Sequence, residues 1–257
     1  MKLFDTHCHF DFDEFQDDFE YNLSLAQETG VSRILLPSVG PSNWSRIQTL
    51  AQRYSQLYYA LGFHPCFLEE HFEQHLAELE DYLKQKASQC VAIGECGLDF
   101  AIDVDPQLQE KALETQFELA RHFELPVILH SRKAHNRLIQ MVKAAKLPKG
   151  GVVHAFAGSY QQAMEWVRLG FFIGVGGTIT YPRAQKTRDA IQKLALENLV
   201  IETDAPDMPI LGYQGQPNHP AKLIHVLNML VELRRGEKQS IASQLWKNSN
   251  FAFSICE

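Results

Sequence analysis

Side chains of the metal-binding types follow five short apolar runs of this sequence. Buried parallel strands read as short runs of Val, Ile and Leu, so each of these side chains is expected where a strand ends. The six residues are His7, His9, Glu95, His130, His154 and Asp204. In an α/β barrel the C-terminal ends of the strands meet at one face. Four histidines and two carboxylates at one face could hold two divalent metals, which predicts a metal-dependent hydrolase.

The first ion would be held near the N-terminus. His7 and His9 lie two apart on a strand and therefore share a face, so both imidazoles can reach one ion. A buried carboxylate needs a charged partner, and Glu95 could bridge this ion to a second one about 3.5–4 Å away. Asp204 could touch the first ion and take the proton of the attacking water as general base.

The second ion would be held by His130 and His154, which end neighbouring strands. Taken singly, each is more often an ordinary core or surface histidine, and Glu95 could equally pair with a lysine or arginine. The shared placement of all six residues favours the metal site. His64 could bind a substrate oxygen, and Glu202 is a candidate for contacting substrate or for supporting a ligand. The remaining histidines are expected to be solvated: His71, His75, His122, His135, His219 and His225.

Strand and helix patterns alternate along the whole chain. Strands are predicted at 2–7, 33–37, 57–63, 90–95, 126–130, 151–154, 171–175 and 199–203. Helices are predicted over 13–29, from Ser42 onward, around Trp166, and over 72–87, 106–123, 134–146, 184–196, 219–235 and 238–254. Eight strand–helix units predict a TIM-type (β/α)8 barrel, as a single domain over residues 1–257. The alternative, an open doubly wound sheet, could not bring the last strand beside the first.

Composition limits the partners and the compartment. The net charge is −7 and no basic run is present, so a nucleic acid would have to be held locally, near the metals. Five cysteines without zinc-finger or redox spacing indicate reduced thiols. The sequence has neither a secretory pattern at its start nor an apolar run of about 20 residues. We therefore expect a cytoplasmic protein without membrane contact and without an obligate protein partner.

Six segments resemble motifs of the TatD family of metal-dependent hydrolases, within the amidohydrolase-like barrels. They are residues 4–9, 62–65, 94–99, 130–132, 154–156 and 202–206. The resemblance implies an α/β barrel with a two-metal centre and, in several members, deoxyribonuclease or related phosphoesterase activity. It implies that four residues bind the first ion, namely His7, His9, Glu95 and Asp204. It implies that Glu95 is shared with a second ion, whose other ligands are His130 and His154.

The same resemblance implies that His64 and Arg132 face the substrate, a phosphoester such as the end of single-stranded DNA. Three positions depart from the usual motifs and alter the rim of the site: Lys133 replaces an acidic residue, Ala157 a serine, and His219 the glutamate of an Arg-Asn-Glu-Pro motif. An amide or lactone hydrolase is one alternative, and a non-catalytic metal-binding barrel is another. The mixed donors admit zinc, manganese or magnesium as the two divalent ions.

Overall fold

A parallel sheet surrounded by helices makes up the computed structural model, which describes residues 1–85 and 87–256. The strands are Leu3–Asp5 (β1), Val31–Pro37 (β2), Leu57–Leu61 (β3), Cys90–Asp99 (β4), Val127–Arg132 (β5), Gly151–Val153 (β6), Phe171–Val175 (β7) and Leu199–Ile201 (β8). Within the described ranges the helices are Phe19–Glu28 (α1), Pro41–Arg53 (α2), Leu76–Lys84 (α3), Pro106–His122 (α4), His135–Ala145 (α5), Tyr160–Arg168 (α6), Gln185–Lys193 (α7), Leu223–Arg234 (α8) and Lys238–Ala252 (α9). Each strand pairs in parallel with the next one along the chain.

Hydrogen bonds between the first and last strands bring the two edges of the sheet together. The backbone N–H of Thr6 donates to the Ile201 carbonyl over 3.1 Å. The carboxylate of Asp5 accepts the N–H of Thr203 at 3.0 Å and its hydroxyl at 2.6 Å. These bonds close a TIM-type barrel, so the predicted fold class is confirmed and the open sheet is excluded. The assignment of 1–257 to a single domain stays a prediction.

Alternation along the strands divides the apolar residues into two layers. One buried layer fills the barrel, with residues such as Phe4, Ala60 and Ile128 from every strand except β7, and it meets Phe253 just after α9. The other layer lies between the sheet and the helices, where Trp44 and Trp166 are fully buried. Each fully buried aliphatic side chain stabilises the fold by about 1.5–3 kcal/mol. The interior layer supports the polar side chains that lie above it, at the C-terminal ends of the strands.

Two strands extend past their predicted ends. β4 continues to Asp99 and pairs with β5 through Gly97–His130 and Asp99–Arg132. Glu95 and His130 therefore lie inside strands, and the prediction that strands end at these residues is wrong. The pairing register shifts between Ile93 and Cys96, and beyond this irregularity Cys96 and Leu98 face the buried outer layer. β1 and β8 are shorter than predicted, and His7 and Asp204 lie just beyond them.

Several helix bounds also differ from the prediction. Residues 13–15 form a 3-10 turn and α1 begins only at Phe19. Helix α2 begins at Pro41 rather than after Ser42, because proline suits the first helical position. Residues 72–75 and 220–222 are 3-10 turns that precede α3 and α8, and residue 86 of the predicted 72–87 helix lies outside the described residues. Among the described residues, no helix is both long and apolar enough to cross a bilayer.

Candidate metal centre

The candidate centre lies one layer above the apolar interior of the barrel. Side chains two residues apart share a face of a strand, so the residue two positions after an inward apolar residue also faces the barrel axis. His130 follows Ile128 in this way, and His154 follows Val152. The strands that contribute to the apolar interior layer thus also carry the imidazoles.

Glu95, which is only 1% exposed, lies in the middle of the cluster. Its Oε2 is 3.0 Å from His7 Nε2 and 3.9 Å from His9 Nε2. Asp204 Oδ1 lies on the same side, 3.5 Å from His7 Nε2 and 3.8 Å from His9 Nε2. The structure therefore brings together the four residues predicted to share the first ion.

The other oxygen of Glu95 faces a second group of imidazoles. Oε1 lies 3.0 Å from His130 Nδ1, 3.0 Å from His154 Nε2 and 3.3 Å from His64 Nε2. One carboxylate thus presents each of its oxygens to a different set of donors. This is the arrangement expected of a ligand shared by two cations.

Hydrogen bonds distinguish His64 from the other imidazoles. Its Nδ1 accepts the backbone N–H of Cys66 over 3.0 Å. A neutral imidazole carries one N–H, so the proton of His64 lies on Nε2, which is then a donor and offers no lone pair to a cation. This arrangement fits the predicted contact of His64 with substrate rather than metal binding.

The second ring nitrogen of His130 has a carboxylate partner. Nε2 lies 3.2 Å from Asp99 Oδ2, a buried carboxylate at the end of β4. A proton on Nε2 leaves the Nδ1 lone pair directed toward Glu95. Histidines that bind metals usually donate their other N–H to such a carboxylate, which fixes the ring.

Glu202 is fully buried behind His154. Its carboxylate accepts the backbone N–H of Ala155, and its Oε1 lies 3.6 Å from His154 Nδ1. Gly174 makes room for it, since a Cβ there would lie 2.6 Å from Glu202 Oε2. Because Glu202 has no exposed surface, its position argues against the predicted substrate contact and favours support of His154.

Burial and mutual charge shift the pKa values of the cluster. Burial, with the charge of a neighbouring imidazole, lowers the pKa of His7, and lowers that of His9 to about 3. Burial would raise the pKa of Glu95, but the surrounding histidines, His154 first, hold it well below its usual range. Burial, opposed by His154, raises the pKa of Asp204 well above its usual range. Burial would lower the pKa of His154, but Glu95 and Asp204 raise it well above its usual range.

Unpartnered polar atoms test whether these residues fit a metal. Several buried atoms have no hydrogen-bond partner within residues 1–85 and 87–256: His7 Nδ1 and Nε2, His9 Nδ1, His154 Nδ1 and Glu202 Oε2. Buried polar atoms are normally paired, so their clustering indicates a role beyond hydrogen bonding. The donor atoms of His7, His9 and Glu95 also lie within 4.8 Å of one another. Imidazole nitrogen and carboxylate oxygen together suit zinc or manganese, so the residues fit divalent cations.

The rim of the centre is more open. The Arg132 side chain is 63% exposed, and its guanidinium lies 3.6 Å from Asp99 Oδ2. His135, by contrast, is paired with Glu165 at 2.9 Å and is only partly exposed. The expectation that His135 is solvated is therefore wrong.

His219 is also half-buried rather than solvated. Its ring packs edge-on against Phe10 and Phe15, at centroid distances of 6.3 and 5.7 Å. Its Nδ1 accepts the N–H of Ala221 over 3.0 Å, which caps the turn before α8. The position thus serves local packing, which corrects the expectation of a solvated ring.

Three residues of the site were not identified from the sequence. Asp99 contacts His130, Asp5 joins β1 to Thr203, and Asn218 donates to the Thr203 carbonyl over 2.9 Å. For Asp99 a signal was present, because Glu95, Gly97 and Asp99 alternate along one face of β4. Asn218 occupies the asparagine position of the Arg-Asn-Glu-Pro motif, but its partner lies 15 residues away and could not be identified from the sequence.

The barrel and its cluster of imidazoles and carboxylates define a metal-dependent hydrolase. Residues 4–254 match the family described as TatD related DNase. The chain therefore belongs to the TatD family.

Relatives extend over the full length of the chain. It is 48% identical over 256 residues to YjjV of Escherichia coli K12, described as an uncharacterized metal-dependent hydrolase, covering 99% of this chain and 98% of that one. The crystal structure of this TatD homologue superposes with a TM-score of 0.95, covering 99% and 98% of the two chains. A 3'-5' ssDNA/RNA exonuclease TatD of Klebsiella pneumoniae is 33% identical, with 98% of each chain covered.

Proposed function

We propose that this protein is a two-metal phosphodiesterase that removes nucleotides from the ends of single-stranded nucleic acid. The observation that carries the proposal is the position of Glu95, whose two oxygens face two separate groups of imidazoles 3.0 Å away. The Klebsiella relative is named a 3'-5' ssDNA/RNA exonuclease, which supports the substrate class. A cytoplasmic location would give access to such strands.

The proposed ligands form two sets that share Glu95. The first ion would be held by His7, His9 and Asp204, and the second by His130 and His154. When bound, zinc, manganese or magnesium ions would supply positive charge to the phosphate oxygens and acidify a water molecule.

Asp204 is the proposed general base. Its side chain is 14% exposed, whereas Glu95, Asp99 and Glu202 are each 1% exposed at their side chains. It is thus the carboxylate of this cluster that an attacking water can reach. A base within hydrogen-bond distance of the water can take its proton as the phosphorus is attacked.

His64 and Arg132 are the proposed substrate contacts. The Nε2–H of His64 is fixed by the bond from Cys66 to Nδ1, so it can donate to a non-bridging phosphate oxygen. The forked guanidinium of Arg132 suits a phosphate at the exposed rim. Glu202 would orient His154.

The test is an assay of the manganese-loaded protein on end-labelled single-stranded DNA, with duplex DNA, a lactone and an amide in parallel. We expect shortening of the single strand from its 3′ end. An Asp204→Asn variant should lower kcat at least about 100-fold, since general-base catalysis contributes about 10²–10⁴. The matched control is Asp207→Asn, an exposed carboxylate three residues further on.

Full activity of Asp204→Asn would contradict the assigned base. Cleavage of the lactone or amide with intact DNA would instead favour the alternative hydrolase. A folded, metal-loaded protein that cleaves none of these substrates would support the non-catalytic barrel.

A further inference from the structure

A cavity of about 480 Å³ opens beside the candidate metal centre, above β5 and β6. His154 belongs to both, because it lines the cavity and its Nε2 lies 3.0 Å from Glu95 Oε1. His154 is buried, and its Nδ1 has no hydrogen-bond partner within the described ranges. A volume of this size falls within the roughly 300–1,000 Å³ typical of small-molecule sites.

The lining of this cavity is cationic. Lys133, Arg137 and Lys186 line it, and no carboxylate residue does so in the part of the chain that the structure describes. Arg137 already pairs with Glu110 at 2.6 Å, so its charge is largely matched. Lys133 and Lys186 make no ion pair within 4.0 Å in residues 1–85 and 87–256. Two uncompensated ammonium groups thus border one concavity in a chain of net charge −7.

Two departures from the usual family motifs lie in the same wall. Lys133 and Ala157 both line the cavity. A lysine in place of an acidic residue adds positive charge there, and an alanine in place of a serine widens the space. Both changes suit an anion at this position, and neither replaces a proposed metal ligand.

We propose that this cavity binds a second phosphate group of the substrate, next to the phosphate held at the metal centre. The inference rests on the proposed function, because it takes the substrate to be a nucleic-acid strand that carries one phosphate per nucleotide. The two lysines would hold the second phosphate while the metal centre, with His64 and Arg132, holds the first. The preference for strands over small esters would then come from Lys133 and Lys186.

Calorimetry on the manganese-loaded protein tests this assignment without relying on turnover. The ligands are thymidine 5′-monophosphate, thymidine 3′-monophosphate and thymidine 3′,5′-bisphosphate, each checked by chromatography after titration. We expect the bisphosphate to bind about five- to thirtyfold more tightly than the better monophosphate, as two exposed ion pairs allow. High salt should reduce this ratio, since exposed charges are screened.

The variant K133Q/K186Q should reduce that ratio to less than twofold while leaving monophosphate affinity unchanged. The matched control is K193Q, which removes an exposed charge from the other end of α7 and should keep the wild-type ratio. A wild-type protein that binds the three ligands equally would overturn the proposal. A double variant that keeps the wild-type ratio would also overturn it.

The outcomes separate this inference from the proposed function. If the protein shortens single-stranded DNA but binds the monophosphates and the bisphosphate equally, only the cavity assignment is wrong. If the two lysines favour the bisphosphate over the monophosphates but DNA stays intact, the phosphate site stands and the nuclease assignment is wrong.

Discussion

Asp99 and His130 face each other across 3.2 Å, on the side of the imidazole opposite to Glu95. Asp99 is buried, and bonds from the Ala101 N–H and from His130 outweigh the effect of burial and lower the pKa of its carboxyl. It therefore stays ionised and can hold the proton of His130 on Nε2. The Nδ1 lone pair is left directed toward Glu95.

Asp99→Asn should weaken metal binding about 10- to 100-fold, the usual effect of losing a carboxylate partner of a metal-binding histidine. Competition with a fluorescent chelator measures the affinity, and activity should recover at saturating manganese. Asp103→Asn, an exposed carboxylate in the following loop, is the control. Unchanged affinity in Asp99→Asn would mean that His130 needs no such partner.

His64→Gln should separate substrate contact from metal binding. Because Nδ1 of His64 accepts the Cys66 N–H, we expect the variant to keep its full metal content. Its kcat should fall about 10²–10³-fold, as when a donor to a developing anion is removed. Elemental analysis measures the metal content and steady-state kinetics measure kcat. The control is His71→Gln, at an exposed histidine. Loss of one metal ion per chain would make His64 a ligand instead.

Gly174→Ala should destabilise the barrel, because the added Cβ would lie 2.6 Å from Glu202 Oε2. Overpacking of this kind costs about 1–3 kcal/mol. Gly176→Ala is the matched control, since its Cβ would come no closer than 3.8 Å to Glu202. Thermal unfolding in chelator compares them, and equal Tm values for the two variants would contradict the tight fit around Glu202.

His219 should contribute a measurable pH dependence to stability. Burial, with the nearby charge of Lys222, lowers the pKa of His219 from 6.5 to about 4. The unfolded chain takes up a proton near pH 6.5, whereas the folded chain does not until about pH 4. The contribution of the neutral ring is therefore full above pH 6.5 and is lost as the pH falls toward 4.

His219→Asn keeps an acceptor for the Ala221 N–H and removes the titration. Between pH 6.5 and 4 its unfolding free energy should fall less than that of the wild type. The difference should be about 1–2 kcal/mol, discounted because the ring is partly exposed. Urea titrations in chelator measure it, and parallel pH profiles for the two proteins would show that His219 titrates normally.

The sequence was sufficient for the barrel and for the cluster because histidines are placed at regular points of apolar strands. His130 and His154 could be identified two residues beyond buried Ile128 and Val152. The length of β4 could not be predicted, because the strand was expected to end at Glu95 although it continues to Asp99. Packing across distant parts of the chain was equally hidden, as between His219 and Phe15.

Anomalous diffraction from crystals grown with manganese tests whether Glu95 is shared by two cations. We expect two anomalous peaks per chain, one between Glu95 Oε2 and the His7–Asp204 side and the other between Oε1 and the His130–His154 side. A single peak that leaves one carboxylate oxygen free, or no peak at Glu95 in metal-saturated crystals, would show that Glu95 is not shared by two cations.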